Sequence, residues 1–368
     1  MHISHIHLDN FRNFDSLDLS FGQGLIVLAG PNGAGKTNFL ESIYFGGTLR
    51  RFPETKFSQL FREGEGFFRV GILAQTEEEN SLEVAAEKAE KFNILHYKLN
   101  DVDSARNQYA GVLPVASFLP QDLNLLTRSP GNRRRYLNET LSLVSAQYRH
   151  AHTQYERALK QRNAILLEAR RGQPQTQDIG VWSDQLAEYG AFICAARQIF
   201  LDYVNGNLEK IVSVLSPNLS GLNFAYLMSG AETKASFLEK LNSREAEEKN
   251  RGLTLFGPHR DEFATKINGK DAVGFVSRGE MRSITLALKL LEKEYVREKT
   301  GKPPILLLDD VFSEFDAAHQ KALVSLFKDL PQAFLTSAHF EEINKFLPEE
   351  AQTYNIEAGK VISTVQYV

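Results

Sequence analysis

Residues 30–37, Gly30-Pro31-Asn32-Gly33-Ala34-Gly35-Lys36-Thr37, satisfy the pattern Gly-x-x-x-x-Gly-Lys-Ser/Thr in full. Glycines at these spacings let consecutive backbone N–H groups turn inward on an anion, at the positive end of the helix that follows. Lys36 then reaches the outer phosphates of a nucleoside triphosphate such as ATP, and the Thr37 hydroxyl is placed to ligate Mg²⁺. The alternative is a Gly-rich turn at a strand–helix junction. An apolar run before the motif and a helical stretch after it, 38–45, favour the phosphate site. Far along the chain, Ile305-Leu306-Leu307-Leu308-Asp309-Asp310 is an apolar run ending in two carboxylates. A buried strand of this kind delivers Asp309 to the carboxyl edge of a sheet, where it can hold Mg²⁺. Asp310, one step beyond, can polarise an attacking water. A capped strand end with solvated acids is the alternative there. Ser277-Arg278-Gly279-Glu280 opens a long helix, so its hydroxyl and N–H groups would face an anion. Ser313-Glu314-Phe315-Asp316 follows the carboxylate pair. Each four-residue string is weak alone; taken in this order with Gln121 and His339, they are strong.

These residues need a sheet to bring them together. The run 25–29 is short and continuously apolar, the mark of a strand covered on both faces. Strand-like stretches follow at 67–75, 81–86, 93–99 and 115–118. From 121 to 250 the texture turns helical: 148–171 and 181–208 carry apolar residues at steps of three or four, and 172–180 reads as a loop between them. The strand texture then returns, with a turn at Asn268-Gly269, a helix over 279–298, and strands at 305–308 and 333–337. The expectation is an α/β fold, with an ATPase lobe made of 1–120 and 251–368 and a helical lobe, 121–250, inserted into it.

A chain of 368 residues is long for one domain and suggests two lobes or one domain with a large insertion. With 42% hydrophobic and 24% charged residues it can bury a sizeable core, and no apolar run approaches a membrane span. The first residues resemble no targeting segment. Cys194 is the only cysteine, which excludes an intrachain disulfide and a Cys-built zinc site, and the default compartment is the cytosol. The net charge of −4 argues weakly against nucleic acid, but it hides an asymmetry. Between Arg128 and Arg171 ten Arg or Lys stand against three Glu, a balance of +7, which leaves −11 for the remainder. Cationic side chains gain affinity for DNA by displacing counterions from phosphates. Arg133-Arg134-Arg135 is therefore the first candidate DNA contact, and Arg50, Arg51 and Lys56 are the second. Pairing with the acidic remainder of the protein is the alternative for the arginines.

The order of P-loop, Gln121, Ser277 helix, Asp309-Asp310, Ser313 to Asp316 and His339 resembles the ABC-type ATPase head. Within that class the chain is similar to the RecF family of recombination and replication-repair ATPases, nearly end to end. The resemblance covers Phe11-Arg12-Asn13-Phe14, Phe118 to Leu123, Arg133 to Arg135, Tyr155 to Asn163 and Gly257-Pro258-His259-Arg260-Asp261. It implies that 30–37 hold the triphosphate, that Thr37, Gln121 and Asp309 complete the Mg²⁺ sphere, that Asp310 is the general base, and that His339 senses the γ-phosphate. Ser277 and Gly279 would act on ATP held by a second copy, in a dimer that forms on ATP and opens after slow hydrolysis. Gln121 departs from the family's usual Glu, and Arg278 and Glu280 stand where the family usually has Gln. The resemblance also implies binding at single/double-strand DNA junctions, RecR- and RecO-type partners, and roles in recombinational repair, replication restart and the SOS response. Rival readings are a chromosome-organising ATPase, which would carry long coiled-coil arms, and a small-molecule kinase, which has no use for the Ser277 helix.

Overall fold

Alternation of apolar and polar residues at the start of the chain produces two antiparallel strands, β1 (His2–Phe11) and β2 (Phe14–Ser20). A computed structural model describes residues 1–75, 78–90, 93–173, 178–325, 330–338 and 340–366 of the chain. It divides into one unit of Met1–Leu123 with Val296–Val368 and a second of Asn124–Tyr295. After β3 (Gly24–Ala29) and α1 (Lys36–Thr48) come β4 (Phe67–Gln75), β5 (Glu79–Lys88), β6 (Asn93–Leu99), β7 (Val102–Asp103), α2 (Arg106–Tyr109) and β8 (Val115–Phe118). The chain enters the second unit with α3 (Pro130–Val144), α4 (Ala146–Arg170), α5 (Ile179–Leu215), β9 (Leu222–Leu227), α6 (Lys234–Ser243), α7 (Glu245–Arg251), β10 (Glu262–Ile267) and β11 (Lys270–Asp271). Helix α8 (Arg278–Thr300) leads back to β12 (Ile305–Asp309), α9 (Ala317–Ser325), β13 (Gln332–Ser337), α10 (Phe340–Asn344), β14 (Gln352–Glu357) and β15 (Lys360–Gln366). Part of the expected loop 172–180 lies outside the described residues.

The first unit holds two six-stranded sheets, ordered β2-β1-β4-β5-β6-β7 and β15-β14-β3-β13-β12-β8. The first is antiparallel throughout, whereas β14, β3, β13, β12 and β8 of the second run parallel. Parallel strands with both faces covered need continuous apolar runs, which is why β3 and β12 are buried at nearly every position. Gln332 is fully buried, and its amide ties the sheets: Oε1 accepts from Ile3 N–H at 2.7 Å, and Nε2 donates to the Ile3 and Gly22 carbonyls at 2.8 Å.

The expected boundary at 250 differs from these units. β10, β11 and most of α8 belong with the second unit, because β10 pairs with β9 from Glu262↔Leu227 to Ile267↔Leu222. Met281, Ile284, Leu288, Leu291 and Tyr295 of α8 join the same core as Tyr155, Phe200 and Phe263. A strand that looks like a return to the first sheet thus completes a small sheet of its own.

The core of the second unit is organised by Asp261, which is fully buried. Its carboxylate accepts from the Ser229 N–H at 2.7 Å, from Cys194 Sγ and Arg197 Nη1 at 3.3 Å, and from the Tyr226 hydroxyl. Next to it, His259 accepts the Tyr155 hydroxyl on Nδ1 at 2.5 Å, which leaves Nε2 to donate to the Thr254 carbonyl at 3.2 Å. Burial pushes the His259 imidazole down to about 4 from its usual 6.5. Between these values the unfolded chain binds the extra proton and the folded one does not. Stability therefore rises with pH through this window and is lost as pH falls from about 6.5 toward 4, at up to about 1.4 kcal/mol per pH unit. Unfolding followed by fluorescence of Trp182, the only tryptophan, should show this acid sensitivity, and His259→Asn should flatten it. An unchanged acid profile in the variant would remove His259 as the cause.

Candidate functional site

Strands β3, β13, β12 and β8 lie side by side and parallel, so their carboxyl ends open along one edge of the sheet. The 30–37 loop leaves β3, Asp309 ends β12, Ser337 ends β13, and Gln121 follows β8 in a 3-10 turn, Pro120–Asn124. Sheet order alone converts residues 272 positions apart into neighbours: Thr37 Oγ1 lies 2.9 Å from both carboxylate oxygens of Asp309.

The loop can curl back only because of its glycines. Gly30 has φ +148°, and a Cβ there would lie 2.1 Å from the Ile356 carbonyl oxygen; at Gly35, φ +113°, it would lie 2.4 Å from Asn13 Nδ2. Outside support comes from Asn13 Nδ2 and Gly359 N–H, which donate to the Ala34 carbonyl at 3.2 and 2.9 Å. Residues 31–33 are exposed. Helix α1 begins at Lys36 with no side-chain cap and no acidic residue in its first turn, so its leading N–H groups remain for an anion. Lys36 is 7% exposed, and its Nζ donates to the Gly30 and Pro31 carbonyls at 2.7 and 2.9 Å. Burial lowers its pKa, with Asp310 and Asp309 pulling the other way.

The two carboxylates differ in their surroundings. Asp309 is buried, which raises its pKa against the pull of the Thr336 and Thr37 hydroxyls. Asp310 turns out of the strand in a left-handed conformation, φ +47°, that costs a non-glycine residue roughly 1–3 kcal/mol. Thr336 holds both: its hydroxyl donates to Asp309 Oδ1 at 2.8 Å and accepts from the Asp310 N–H at 2.9 Å. Sequence reading passed over Thr336, although a hydroxyl next to the end of a buried apolar strand was a usable signal. A hydroxyl beside a buried carboxylate supplies the oxygen donors that Mg²⁺ takes, and an uncapped helix turn with a lysine suits a polyphosphate. The residues present fit ATP with Mg²⁺.

The other expected residues divide. Gln121 reaches the edge, but among the described residues its side chain hydrogen-bonds neither Asp309 nor Thr37. His339 lies outside the described residues. Ser277 and Gly279 belong to the second unit and are exposed. There Glu280 closes a reciprocal cap: its Oε2 accepts the Ser277 N–H at 2.8 Å, and its own N–H donates to Ser277 Oγ at 3.2 Å. The carboxylate is thereby held against Ser277, and these bonds lower its pKa.

Arg133-Arg134-Arg135 does not form one phosphate clamp. Arg133, 13% exposed, engages Glu262 through Nε and Nη2 at 2.5 and 2.7 Å and donates from Nη1 to the Leu126 and Arg128 carbonyls. It braces the start of α3 against β10. Arg135 pairs with Glu139 one helical turn on, at 3.0 Å. Among the described residues Arg134 donates only to the Asp261 carbonyl, at 3.1 Å. By contrast Arg51 and Lys56 are exposed and Arg50 half-buried, and none of the three forms an ion pair among the described residues.

The family model described as RecF/RecN/SMC N-terminal domain matches residues 2–359. The DNA replication and repair protein RecF of Latilactobacillus sakei is 33% identical, over 98% of this chain and 99% of its own. Among solved structures, the recombination mediator protein RecF with ATP, described within the RecFOR pathway, superposes with a TM-score of 0.88 at 27% identity, covering 99% of this chain and 97% of that one. An Smc head domain from Pyrococcus furiosus, bound to the C-terminal domain of ScpA, matches in fold with a TM-score of 0.54 at 17% identity, over 99% and 96% of the two chains.

Proposed function

The chain belongs to the RecF family and has the α/β fold of the ABC-type head, and from that premise we propose how it serves DNA replication and repair. The observation that carries the proposal is the meeting of Thr37 with Asp309 at one sheet edge. Residues 30–37 bind ATP, with Lys36 on the outer phosphates, and Thr37, Asp309 and Gln121 hold Mg²⁺. Bound ATP with Mg²⁺ would supply a phosphoryl group open to attack by water. Asp310, where the chain turns out of the strand just past Asp309, orients that water and accepts its proton. His339 is assigned to the γ-phosphate by family resemblance alone. Ser277 and Gly279, exposed at the start of α8, are assigned to ATP held by a second copy.

In this reading ATP drives dimerisation around DNA, at single/double-strand junctions, and slow DNA-stimulated hydrolysis releases it. The protein works in the cytosol with RecO- and RecR-type partners in recombinational repair, replication restart and the SOS response. No helix among the described residues is long and apolar enough to cross a membrane. Gel filtration with and without ATP and Mg²⁺ tests the central claim: a shift to the dimer supports it, and a monomer under both conditions favours the kinase reading.

The DNA contact moves to Arg50, Arg51 and Lys56, three neighbouring cations that form no ion pair among the described residues. Replacing all three with Gln should flatten the slope of log affinity against log salt by about 2 to 3 units, if each neutralises one phosphate. Arg133→Gln should leave the slope alone and destabilise the second unit by about 2–3 kcal/mol, because it takes both guanidinium bonds from Glu262 and leaves it only the Phe263 N–H. A flattened slope in Arg133→Gln with stability unchanged would reverse the assignment.

A further inference from the structure

The second unit contains a cavity of about 250 Å³ between the start of α3 and the Gly257–Asp261 loop. Three features of its wall point to an anion. Arg197 lies behind the wall, 2% exposed; Nη1 donates to the Pro258 carbonyl at 2.7 Å and to Asp261 at 3.3 Å, and Nη2 to Asn138 Oδ1 at 2.9 Å, so it contributes the field of a buried positive charge. Arg134, also in the wall, forms no ion pair among the described residues, and its only hydrogen bond is to a backbone carbonyl. Burial lowers its pKa, and Arg197 and Arg260 repel its charge against the attraction of Glu262 and Asp261. Gly131, in the first turn of α3, leaves that side without a side chain, and the helix adds the positive end of its dipole.

The remaining wall groups do not cancel this. Both nitrogens of His259 are engaged by Tyr155 and Thr254. Asn138 uses its carbonyl on Tyr148 and Arg197, which leaves its amide nitrogen as a donor. Arg135 stands half-exposed at the mouth, with Nε on Glu139. Glu156 is the one carboxylate in the wall; its nearest basic partner is His152 at 3.9 Å. Burial raises the Glu156 pKa, so it takes up a proton more readily and can then donate.

We propose that this cavity binds a phosphate monoester, held between Arg134 in the wall and Arg135 at the mouth beneath the N-terminus of α3, with the buried charge of Arg197 behind it. A phosphate dianion can accept from both guanidinium groups and the Asn138 amide at once, and its double charge suits a wall that carries three arginines and one carboxylate. The volume falls below the roughly 300–1,000 Å³ of sites that enclose a drug-sized molecule. It suits a phosphate and its first ester atoms. The ligand is either a phosphorylated strand end or a small free phosphate compound. The site shares no residue with the ATP loop and depends on the DNA reading only for the strand-end source.

The test uses the full chain as parent, Lys36→Met and Arg134→Gln. Inorganic phosphate, titrated by calorimetry, should still bind Lys36→Met and should bind Arg134→Gln about tenfold more weakly, the loss of one charged hydrogen bond. Duplexes ending in phosphate or hydroxyl then separate the sources. A preference for the phosphorylated end that disappears in Arg134→Gln assigns the site to strand ends. Equal binding of both ends, with phosphate still bound through Arg134, assigns it to a small phosphate compound. If Arg134→Gln does not fold, as judged by Trp182 fluorescence, Arg135→Gln at its half-exposed position serves for the same comparison. Phosphate binding that is absent in the parent, or is unchanged by these substitutions, or is lost with Lys36→Met alone, overturns the proposal.

Discussion

Lys36→Met should leave the chain monomeric when ATP and Mg²⁺ are added, with ATP affinity reduced about 10²–10³-fold. Methionine keeps the unbranched stem and removes the ammonium. In the folded loop that ammonium is nearly enclosed and bonded to the carbonyls of Gly30 and Pro31. It is thus already positioned where the outer phosphates would lie, and hydrogen bonds to a charged group contribute about 1.5–3 kcal/mol each. Two such bonds to phosphate oxygens account for the expected loss. Without held ATP, the exposed Ser277 end of α8 in a second copy has no anion to cap. Gel filtration and a fluorescent-nucleotide titration read the two effects separately. Dimerisation of the variant at the parental ATP concentration would sink the proposed sandwich.

Asp310→Asn should act in the opposite direction on the dimer, lowering turnover by about 10²–10⁴-fold while ATP still binds. The substitution keeps the side chain's shape and the Asp310 N–H bond to Thr336 at 2.9 Å, so the backbone turn should survive. Asp309 and its bonds to Thr37 and Thr336 remain to hold Mg²⁺. With the proton acceptor gone, ATP persists and the closed population grows. Asp309→Asn is the contrast: it weakens Mg²⁺-dependent binding itself. Parental turnover in Asp310→Asn would remove Asp310 from the base role, whatever the dimer does.

The ATP loop and the acidic strand end were legible in the sequence because their chemistry is local. Eight consecutive residues set the loop, and an apolar run ending in Asp309-Asp310 has few other uses. Strands β3, β12 and β13 were legible for the same reason, since burial on both faces leaves no room for polar residues. Other features depended on which segments pair. β9 lies in a stretch that reads as helical, and only its ladder with β10 draws the 251–295 segment into the second unit. β14 and β15 carry a weaker pattern and form at the sheet's end, where β14 adds to β3. Charge was the signal least able to name a contact. Arg133, Arg134 and Arg135 are adjacent in sequence, yet helical geometry and the position of β10 send them to Glu262, to a cavity wall and to Glu139. A run of like charges shows that phosphate binding is possible. Whether a given guanidinium is free for it depends on the acceptors that folding places within about 3 Å, and for Arg133 and Arg134 these include residues more than a hundred positions away.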